Sequence, residues 1–172
     1  IMGLENNLII ESCNEASDIG VVSPANFNCP GQVVIAGKIE AVQKAIELCK
    51  EKGAKKAVLL PVSAPFHCSL LKPAGDKLAA ELDKIEFKEM KIPVVTNVTA
   101  EYVTDYKLVK DLLIRQVSSP VMWEDSVRTM IDNGVDTFVE IGPGKVLCGF
   151  VKKISKNVRL FNVEDMESLK NT

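Results

Sequence analysis

Apolar residues recur along the chain with two different spacings, and the first third of the sequence alternates between them. A stripe of leucine and isoleucine in residues 4–17 predicts an amphipathic helix. Residues 38–53 predict a second one, because four apolar residues follow the spacing i, i+3, i+4 and i+7 from Val42. Runs rich in valine and isoleucine predict short strands at 20–27, 31–37 and 55–62, with a turn at "NCPG" between the first two.

These elements follow the order α-β-β-α-β, which one further strand at the front would complete to the βαββαβ unit of a ferredoxin-like fold. The opening residues, "IMGL", are typical of the end of such a strand, and the chain begins at Ile1 rather than at a methionine. We therefore expect residues 1–63 to form a ferredoxin-like small subdomain whose first strand is truncated. We also expect the chain to be a piece of a longer protein.

Helices and strands alternate in the rest of the chain as well, so residues 64–172 are expected to form a second unit with a parallel sheet. The two units together place the chain in the α/β class, with the boundary near Ser63 to Pro65. Helices are predicted at 71–85, 104–119, 123–134 and 145–154, and strands at 91–98, 136–144 and 158–164.

Composition narrows the classes of function. The chain has 172 residues and is 47% hydrophobic, which is enough to bury a core. A net charge of -2 lacks the basic excess of a nucleic-acid-binding protein, and no apolar run is long enough to span a bilayer. The five cysteines include no CxxC pair and accompany a single histidine, so a zinc site is not expected. Such scattered cysteines are typical of reduced thiols in a cytosol.

The single histidine, His67, is the first candidate for chemistry because it lies in a loop directly after a predicted strand. Pro61 and Pro65 restrict this loop, "LLPVSAPFHCSLLKP", and a restricted loop can position a side chain. A pKa of about 6.5 suits histidine to general-base catalysis. The alternative is a histidine that only packs or caps, and these residues by themselves slightly favour it. No GxSxG nucleophile elbow occurs in the chain, and the neighbouring Cys68 is interpreted as a small buried hydrophobe.

Two further segments could bind a ligand. In "EIGPGKVLCG", a strand, a glycine turn and a helix start resemble a phosphate-binding loop, but Val146 stands where a P-loop needs a hydroxyl residue. A tight strand-to-helix turn is the favoured interpretation, although free amides at the helix start could hold an anion. Asn26 and Asn28 could bind a substrate carbonyl or carboxylate, but stabilisation of their own turn is the favoured interpretation.

A series of segments in the chain resembles the malonyl-CoA:acyl-carrier-protein transacylases, the acyltransferases that load malonyl groups for fatty acid synthesis. The segments are "NFNCPGQVVIAG", "LLPVSAPFHCSLLKPA", "VVTNV", "LIRQVSSPVMW" and "EIGPGKVLCG". They occur in order within residues 1–155 and match the second half of the family's chain. The resemblance implies an α/β-hydrolase-like large subdomain, of which residues 64–172 would be the C-terminal part, with a ferredoxin-like small subdomain inserted. It also implies ping-pong acyl transfer through a serine.

The resemblance implies roles for four residues. His67 matches the catalytic histidine that assists the serine, and Gln116 matches the glutamine whose backbone carbonyl orients that histidine. Asn26 matches an asparagine that lines the cleft. Phe66 matches a pattern that is associated with selection of malonyl over the bulkier methylmalonyl group. These roles give a catalytic pair, His67 and Gln116, and a substrate-binding pair, Asn26 and Phe66.

The implied partners are malonyl-CoA and an acyl carrier protein, whose phosphopantetheine arm receives the malonyl group. No other cofactor, metal, nucleic acid or membrane is expected to take part, and the complete enzyme is expected to be monomeric and cytoplasmic. Acyl carrier protein is acidic, so a basic docking surface is expected. Paired lysines are candidates for it, although ordinary solvated lysines are the favoured interpretation: Lys55, Lys56, Lys152 and Lys153.

Three features of the family are absent from this sequence: the serine in its GHSxGE elbow, the arginine that binds the malonyl carboxylate, and a glutamine that forms part of the oxyanion hole. Arg115 does not match the family arginine by motif. We therefore expect the complete protein to be a malonyltransferase and this chain alone to be inactive. Two alternatives stay open: a non-catalytic module that binds a carrier protein or regulates a partner, and an acyltransferase domain of a polyketide synthase.

Overall fold

Helices dominate the structure, a computed structural model that describes residues 1–62 and 64–172. Two pairs of strands lie between the helices, one pair in each half of the chain. The elements of the first half are α1 (Asn6–Ala16), β1 (Val22–Cys29), β2 (Gln32–Gly37) and α2 (Ile39–Glu51). Those of the second half are α3 (Lys72–Leu82), α4 (Val109–Ser118), α5 (Trp123–Asp132), β3 (Thr137–Ile141), α6 (Val146–Ile154), β4 (Arg159–Val163) and α7 (Met166–Lys170).

The buried core lies in the first half, where α1 and α2 pack against the hairpin of β1 and β2. The hairpin is antiparallel, and Gly31 closes its turn with a φ of 71°. Ile9 from α1 and Val33 from β2 are almost completely buried. Small residues of α2, such as Ala45, let the two helices approach closely. The predicted helices at 4–17 and 38–53 and the first two predicted strands are therefore confirmed.

The opening residues of the chain pair with backbone on both sides through Met2, although they form no regular strand. Met2 makes antiparallel bridges to Gln32 on one side and to Lys56 on the other. This residue therefore lies between the hairpin and the segment after α2, in the central position that the ferredoxin-like order requires. The predicted strand at 55–62 is wrong, because only Lys56 pairs within it. From residue 57 to residue 62, no neighbouring strand is found among the described residues, and Pro61 cannot donate a hydrogen bond.

In the second half, β3 and β4 pair in parallel, and α6 connects them. This confirms the predicted alternation of helix and parallel strand. The predicted strand at 91–98 is wrong, since only Val95 is paired, in a single bridge to Tyr102. Pro93 lacks an N–H group, and Ile92 is 75% exposed, so the segment has no sheet against which to bury its apolar side chains. The short helix α7 was not predicted; Asp165 and Ser168 form a capping box at its start.

The hairpin also contacts the second half directly. The Val121 N–H group donates to the carbonyl of Ala25 at 2.8 Å, and the Phe27 N–H group donates to the carbonyl of Val121 at 2.9 Å. Helices α5 and α6 pack against β1 as well. The expected division into 1–63 and 64–172 stays a prediction, because its boundary falls on Ser63, which lies outside the described residues.

Gly37, at the end of β2, lies against the backbone at the start of β1, where a side chain would not fit. An added Cβ at Gly37 would lie 2.1 Å from the carbonyl oxygen of Val21, so backbone would have to move. We expect Gly37→Ala to lower the free energy of unfolding by about 1–3 kcal/mol, the usual cost of overpacking. Gly149→Ala is the matched control, since nothing lies within 4 Å of an added Cβ there. Gly149 lies inside α6, so alanine should raise stability by about 0.5–1 kcal/mol.

Urea unfolding of the two variants would measure both effects. Opposite signs are expected. Equal stability of Gly37→Ala and the unmodified chain would show that β1 and β2 can separate at this point without cost.

Candidate functional site

His67 is held in an unusual backbone conformation. Its φ is 58°, in the left-handed region that residues other than glycine seldom adopt, at a cost on the order of 1–3 kcal/mol. The surrounding loop maintains this conformation. Cys68 is only 1% exposed, and its thiol donates a hydrogen bond to the carbonyl of Pro65 at 3.2 Å. Cys68 is thus the small buried residue that the sequence predicted, and its burial anchors the loop that presents His67.

The imidazole of His67 contacts the last turn of α4. Its Nδ1 atom lies 3.2 Å from the backbone carbonyl oxygen of Gln116. Carbonyls in the last turn of a helix lack intrahelical partners and are free to accept such bonds. Because a carbonyl only accepts, Nδ1 carries the proton in this contact, and Nε2 of the neutral ring is left as the free acceptor.

The side chain of Gln116 stabilises the turn that presents this carbonyl. Its Nε2 atom donates to the carbonyl oxygens of Ser119 at 3.2 Å and of Pro120 at 3.3 Å. The Ser119 N–H group donates to the same Gln116 carbonyl at 3.4 Å. Gln116 therefore contributes twice. Its main-chain carbonyl contacts His67, and its side chain holds the residues that follow the helix.

His67 is half-buried and lies on the wall of two cavities. One cavity, of about 570 Å³, is lined by Val22, Phe27, Ser118 and Pro120 among others. The second, of about 670 Å³, is lined by Asn26 and Phe66 together with His67. Three of the four residues predicted from the sequence thus line one cavity, and the fourth supports the histidine. Ser118 and Pro120 were missed as individual residues, although they belong to the motif "LIRQVSSP" that contains Gln116.

The amides of the glycine turn after β3 are already occupied by carboxylates of the chain. Glu140 accepts hydrogen bonds from the backbone N–H groups of Leu147 at 3.1 Å and Cys148 at 2.7 Å. Glu164 accepts one from Gly144 at 2.9 Å. Burial opposes the charge on Glu140, but the amide bonds outweigh it and lower the pKa of this carboxyl group. The segment is a tight turn rather than an open anion site.

Among the described residues, no aspartate, glutamate, lysine or arginine lines either of the two cavities. None of the three arginines lines either cavity in the part of the chain that the structure describes. Each pairs with a carboxylate instead: Arg115 with Asp111, Arg128 with Glu124 and Arg159 with Asp136. Among the lysines considered for carrier docking, Lys153 donates to the side chain of Gln32 at 3.1 Å.

No cluster of three potential metal ligands is found among the described residues. The five cysteines are free thiols. Burial raises the pKa of the Cys13 thiol to about 12, so it stays protonated and unreactive. In residues 1–62 and 64–172, no helix combines the length and the apolarity that crossing a bilayer requires.

The contact with Gln116 predicts the tautomer of His67. We expect the neutral ring to carry its proton on Nδ1, whereas free histidine in water favours Nε2. Because His67 is the only histidine, a long-range ¹H–¹⁵N correlation spectrum of the imidazole reports on it without ambiguity. Gln116→Ala should shift the population toward the Nε2–H form, since the turn loses both side-chain bonds. Gln43→Ala, on the exposed face of α2, is the matched control and should leave the spectrum unchanged. An Nε2–H tautomer in the unmodified chain would contradict the contact.

Comparisons with known proteins identify the family of the chain. The family model described as "Acyl transferase domain" matches residues 2–170. The malonyl CoA-acyl carrier protein transacylase of Escherichia coli K12 is 52% identical over 154 residues, which are 90% of this chain and 50% of the relative. The Bacillus subtilis protein of the same name is 44% identical over 170 residues, with 98% and 54% covered. The chain thus spans about half the length of the curated relatives it matches.

Solved structures show the same similarity. An acyl carrier protein S-malonyltransferase from Vibrio cholerae is 50% identical and superposes with a TM-score of 0.97, covering 99% of this chain and 56% of that one. A malonyl-transacylase in complex with a type II polyketide synthase acyl-carrier protein is 45% identical, with a TM-score of 0.96 and coverage of 99% and 55%. In sequence and in fold, the chain belongs to the acyl transferase domain family, of which it represents the C-terminal portion.

Proposed function

We propose that the complete protein transfers a malonyl group from coenzyme A to the phosphopantetheine thiol of an acyl carrier protein. The observation that carries this proposal is the imidazole of His67 on a cavity wall, with Nδ1 on the Gln116 carbonyl and Nε2 left to act as a base. The malonyl transacylases at 44–52% identity support the choice of acyl group.

In the proposed mechanism, Nε2 of His67 takes the proton of a serine hydroxyl group that lies outside these 172 residues. The serine oxygen attacks the thioester carbonyl of malonyl-CoA, the carbon–sulfur bond breaks, and the proton passes from His67 to the departing thiolate. In the second half-reaction, His67 takes the proton of the carrier thiol, and the sulfur attacks the malonyl ester. The carbon–oxygen bond to the serine breaks, and His67 gives that proton to the serine oxygen. In this proposal, neither half-reaction requires a cofactor beyond the two substrates.

The neighbouring residues have distinct roles in this proposal. The Gln116 carbonyl orients the ring of His67 and favours the positive charge that the ring acquires, because helix carbonyl ends carry partial negative charge. Asn26 lines the cleft and binds the substrate through its side-chain amide. Phe66, whose side chain is 54% exposed, narrows the entrance against substituents larger than malonyl.

A second candidate function differs from the first in the carrier protein that receives the malonyl group. One structural relative was solved with a type II polyketide synthase carrier, which favours polyketide synthesis as a further setting for the same reaction. A non-catalytic module that binds a carrier protein is the alternative from another class. The coding sequence directly upstream discriminates between enzyme and module, because only the enzyme requires a continuous reading frame with a GHSxGE elbow.

We further propose that the complete protein is monomeric and works in the cytoplasm. Its substrates, malonyl-CoA and a phosphopantetheine-bearing carrier, support that location, and so do the free thiols of the chain.

Replacement of His67 tests the proposed base. In the complete protein, His67→Ala should slow acylation of the serine by about 10²–10⁴-fold, the usual contribution of a general base. Lys77→Ala, on the exposed side of α3, is the control and should keep the full rate. Rapid quenching with labelled malonyl-CoA measures the step directly. An unchanged rate in His67→Ala would make the histidine structural.

Absence of the nucleophile gives a second test. We expect no malonyl adduct on the 172-residue chain after incubation with malonyl-CoA, because the family serine is not in its sequence. Intact-mass spectrometry checks this, with the Vibrio cholerae relative as the positive control. A stable adduct on this chain would refute the proposal that the nucleophile is a serine outside these 172 residues.

A further inference from the structure

Residues 119–122 connect α4 to α5, and each of their main-chain polar groups has a hydrogen-bond partner. The carbonyls of the first two residues accept from the side chain of Gln116, whose own carbonyl accepts from the first N–H group. Val121 uses both its N–H and its carbonyl group on β1, and the carbonyl of Met122 accepts from the N–H and hydroxyl groups of Ser126. A segment bonded in this way has a fixed conformation, although it is neither a helix nor a regular strand.

The remaining group of this segment, the Met122 N–H group, donates to the carbonyl oxygen of Asn97 at 2.8 Å. Asn97 belongs to a loop of residues 94–103. The segment therefore lies between β1, which carries Asn26, on one side and the 94–103 loop on the other. Because it is bonded on both sides, the position of the loop helps to set where the Gln116 carbonyl lies.

The 94–103 loop is closed by its own backbone. The Thr96 N–H group donates to the carbonyl of Glu101 at 3.1 Å, and the Thr96 carbonyl accepts from the Ala100 N–H group at 2.8 Å. Ala100 is 7% exposed and has a φ of 57°, in the left-handed region. Among the described residues, His67 is the one other non-glycine residue with a positive φ. Such conformations persist only where the surrounding contacts enforce them, and they cluster at functional sites.

Two hydroxyl groups that flank Asn97 in the sequence stabilise this loop. The Oγ1 atoms of Thr96 and Thr99 are 2.8 Å apart, which is a hydrogen bond whichever of them donates. Oγ1 of Thr99 also accepts from the Glu101 N–H group at 3.3 Å. Hydroxyl side chains that bond to nearby groups in this way stabilise turns. The pair therefore fixes the turn that presents the Asn97 carbonyl.

We propose that Thr96 and Thr99 are positioning residues for acyl transfer. The hydroxyl pair holds the loop, the loop holds residues 119–122, and that segment holds the Gln116 carbonyl against the imidazole of His67. The catalytic part rests on the proposed function, in which His67 is the base. The orientation of the ring depends only on the hydrogen bonds described above.

Removal of either hydroxyl group tests this role. Thr96→Val and Thr99→Val keep the shape of the side chain and lose its hydrogen bond. In the 172-residue chain, each should lower the ratio of Nδ1–H to Nε2–H imidazole by about two- to tenfold, the range that one ordinary hydrogen bond gives. The long-range ¹H–¹⁵N spectrum of His67 measures this ratio. Thr99→Ser retains the hydroxyl group and should keep the ratio of the unmodified chain.

A double substitution shows whether the two hydroxyl groups act as a pair. Since each bonds to the other, loss of either breaks the same contact. The chain that carries both valines should therefore differ from Thr99→Val by less than about twofold in the tautomer ratio. Thr104→Val is the matched control, because Thr104 is exposed, and it should leave the ratio unchanged.

Hydrogen exchange of the unmodified chain gives a measurement that needs no variant, and it decides if the valine variants fail to fold. If the loop holds residues 119–122, the amides of Ala100 and Met122 open together. Their protection factors should then agree within about tenfold.

Kinetics of the complete protein test the catalytic part. At saturating malonyl-CoA, Thr99→Val should slow acylation of the serine in proportion to the loss of the Nδ1–H ring, by up to about tenfold. Thr104→Val should keep the full rate. Rapid quenching with labelled malonyl-CoA measures both.

Four results would overturn the proposal. They are a tautomer ratio that changes less than twofold in both valine variants, effects of the two substitutions that add, protection factors of Ala100 and Met122 that differ more than tenfold, and a full acylation rate in Thr99→Val where His67→Ala is slow. An unchanged rate in His67→Ala contradicts the proposed function instead, and the spectrum of the chain still decides whether the threonines orient the ring.

Discussion

Two backbone hydrogen bonds between β1 and Val121 determine where the candidate site lies. They fix the segment that follows α4 against the strand that carries Asn26. The last turn of α4 is thereby held beside the hairpin, with the carbonyl of Gln116 directed toward the loop of His67. Without this pairing, the histidine would have no acceptor at a fixed position, because the two residues are 49 positions apart.

The site draws its rigidity from the better-buried half of the molecule. The core of the hairpin and its two helices contains residues with almost no exposed surface, such as Ile9 and Cys49. In contrast, α4 has no fully buried residue, and Ile141 at the end of β3 is 82% exposed. A chain that spans half the length of its relatives is expected to leave such apolar surface uncovered, at Val58, Leu59 and Leu60 as well as on β3.

The orientation of His67 by a main-chain carbonyl has a physical consequence. A carboxylate in the same place would bring a full charge that must itself be hydrogen-bonded and partly desolvated. The carbonyl at the end of α4 carries only a partial negative charge, which is already present because the peptide dipoles of the helix point their negative ends there. The left-handed backbone of His67 and the buried thiol of Cys68 then hold the ring against that acceptor. The orientation is thus achieved by helix geometry and packing alone.

Local patterns identified most elements, because amphipathic stripes and turn residues act over short distances. The four candidate residues came instead from the resemblance to a family. Helices α1 to α6 and the hairpin follow from such patterns, and the motif series led to His67, Gln116, Asn26 and Phe66. The strand predictions at 55–62 and 91–98 were wrong for one reason. A strand needs a neighbouring strand, and the sequence of the segment itself does not show whether one exists. Tertiary structure alone decided that Glu140 occupies the helix amides that might have bound an anion. It also decided that His67 and Gln116 meet, since contacts between distant residues depend on how the elements pack.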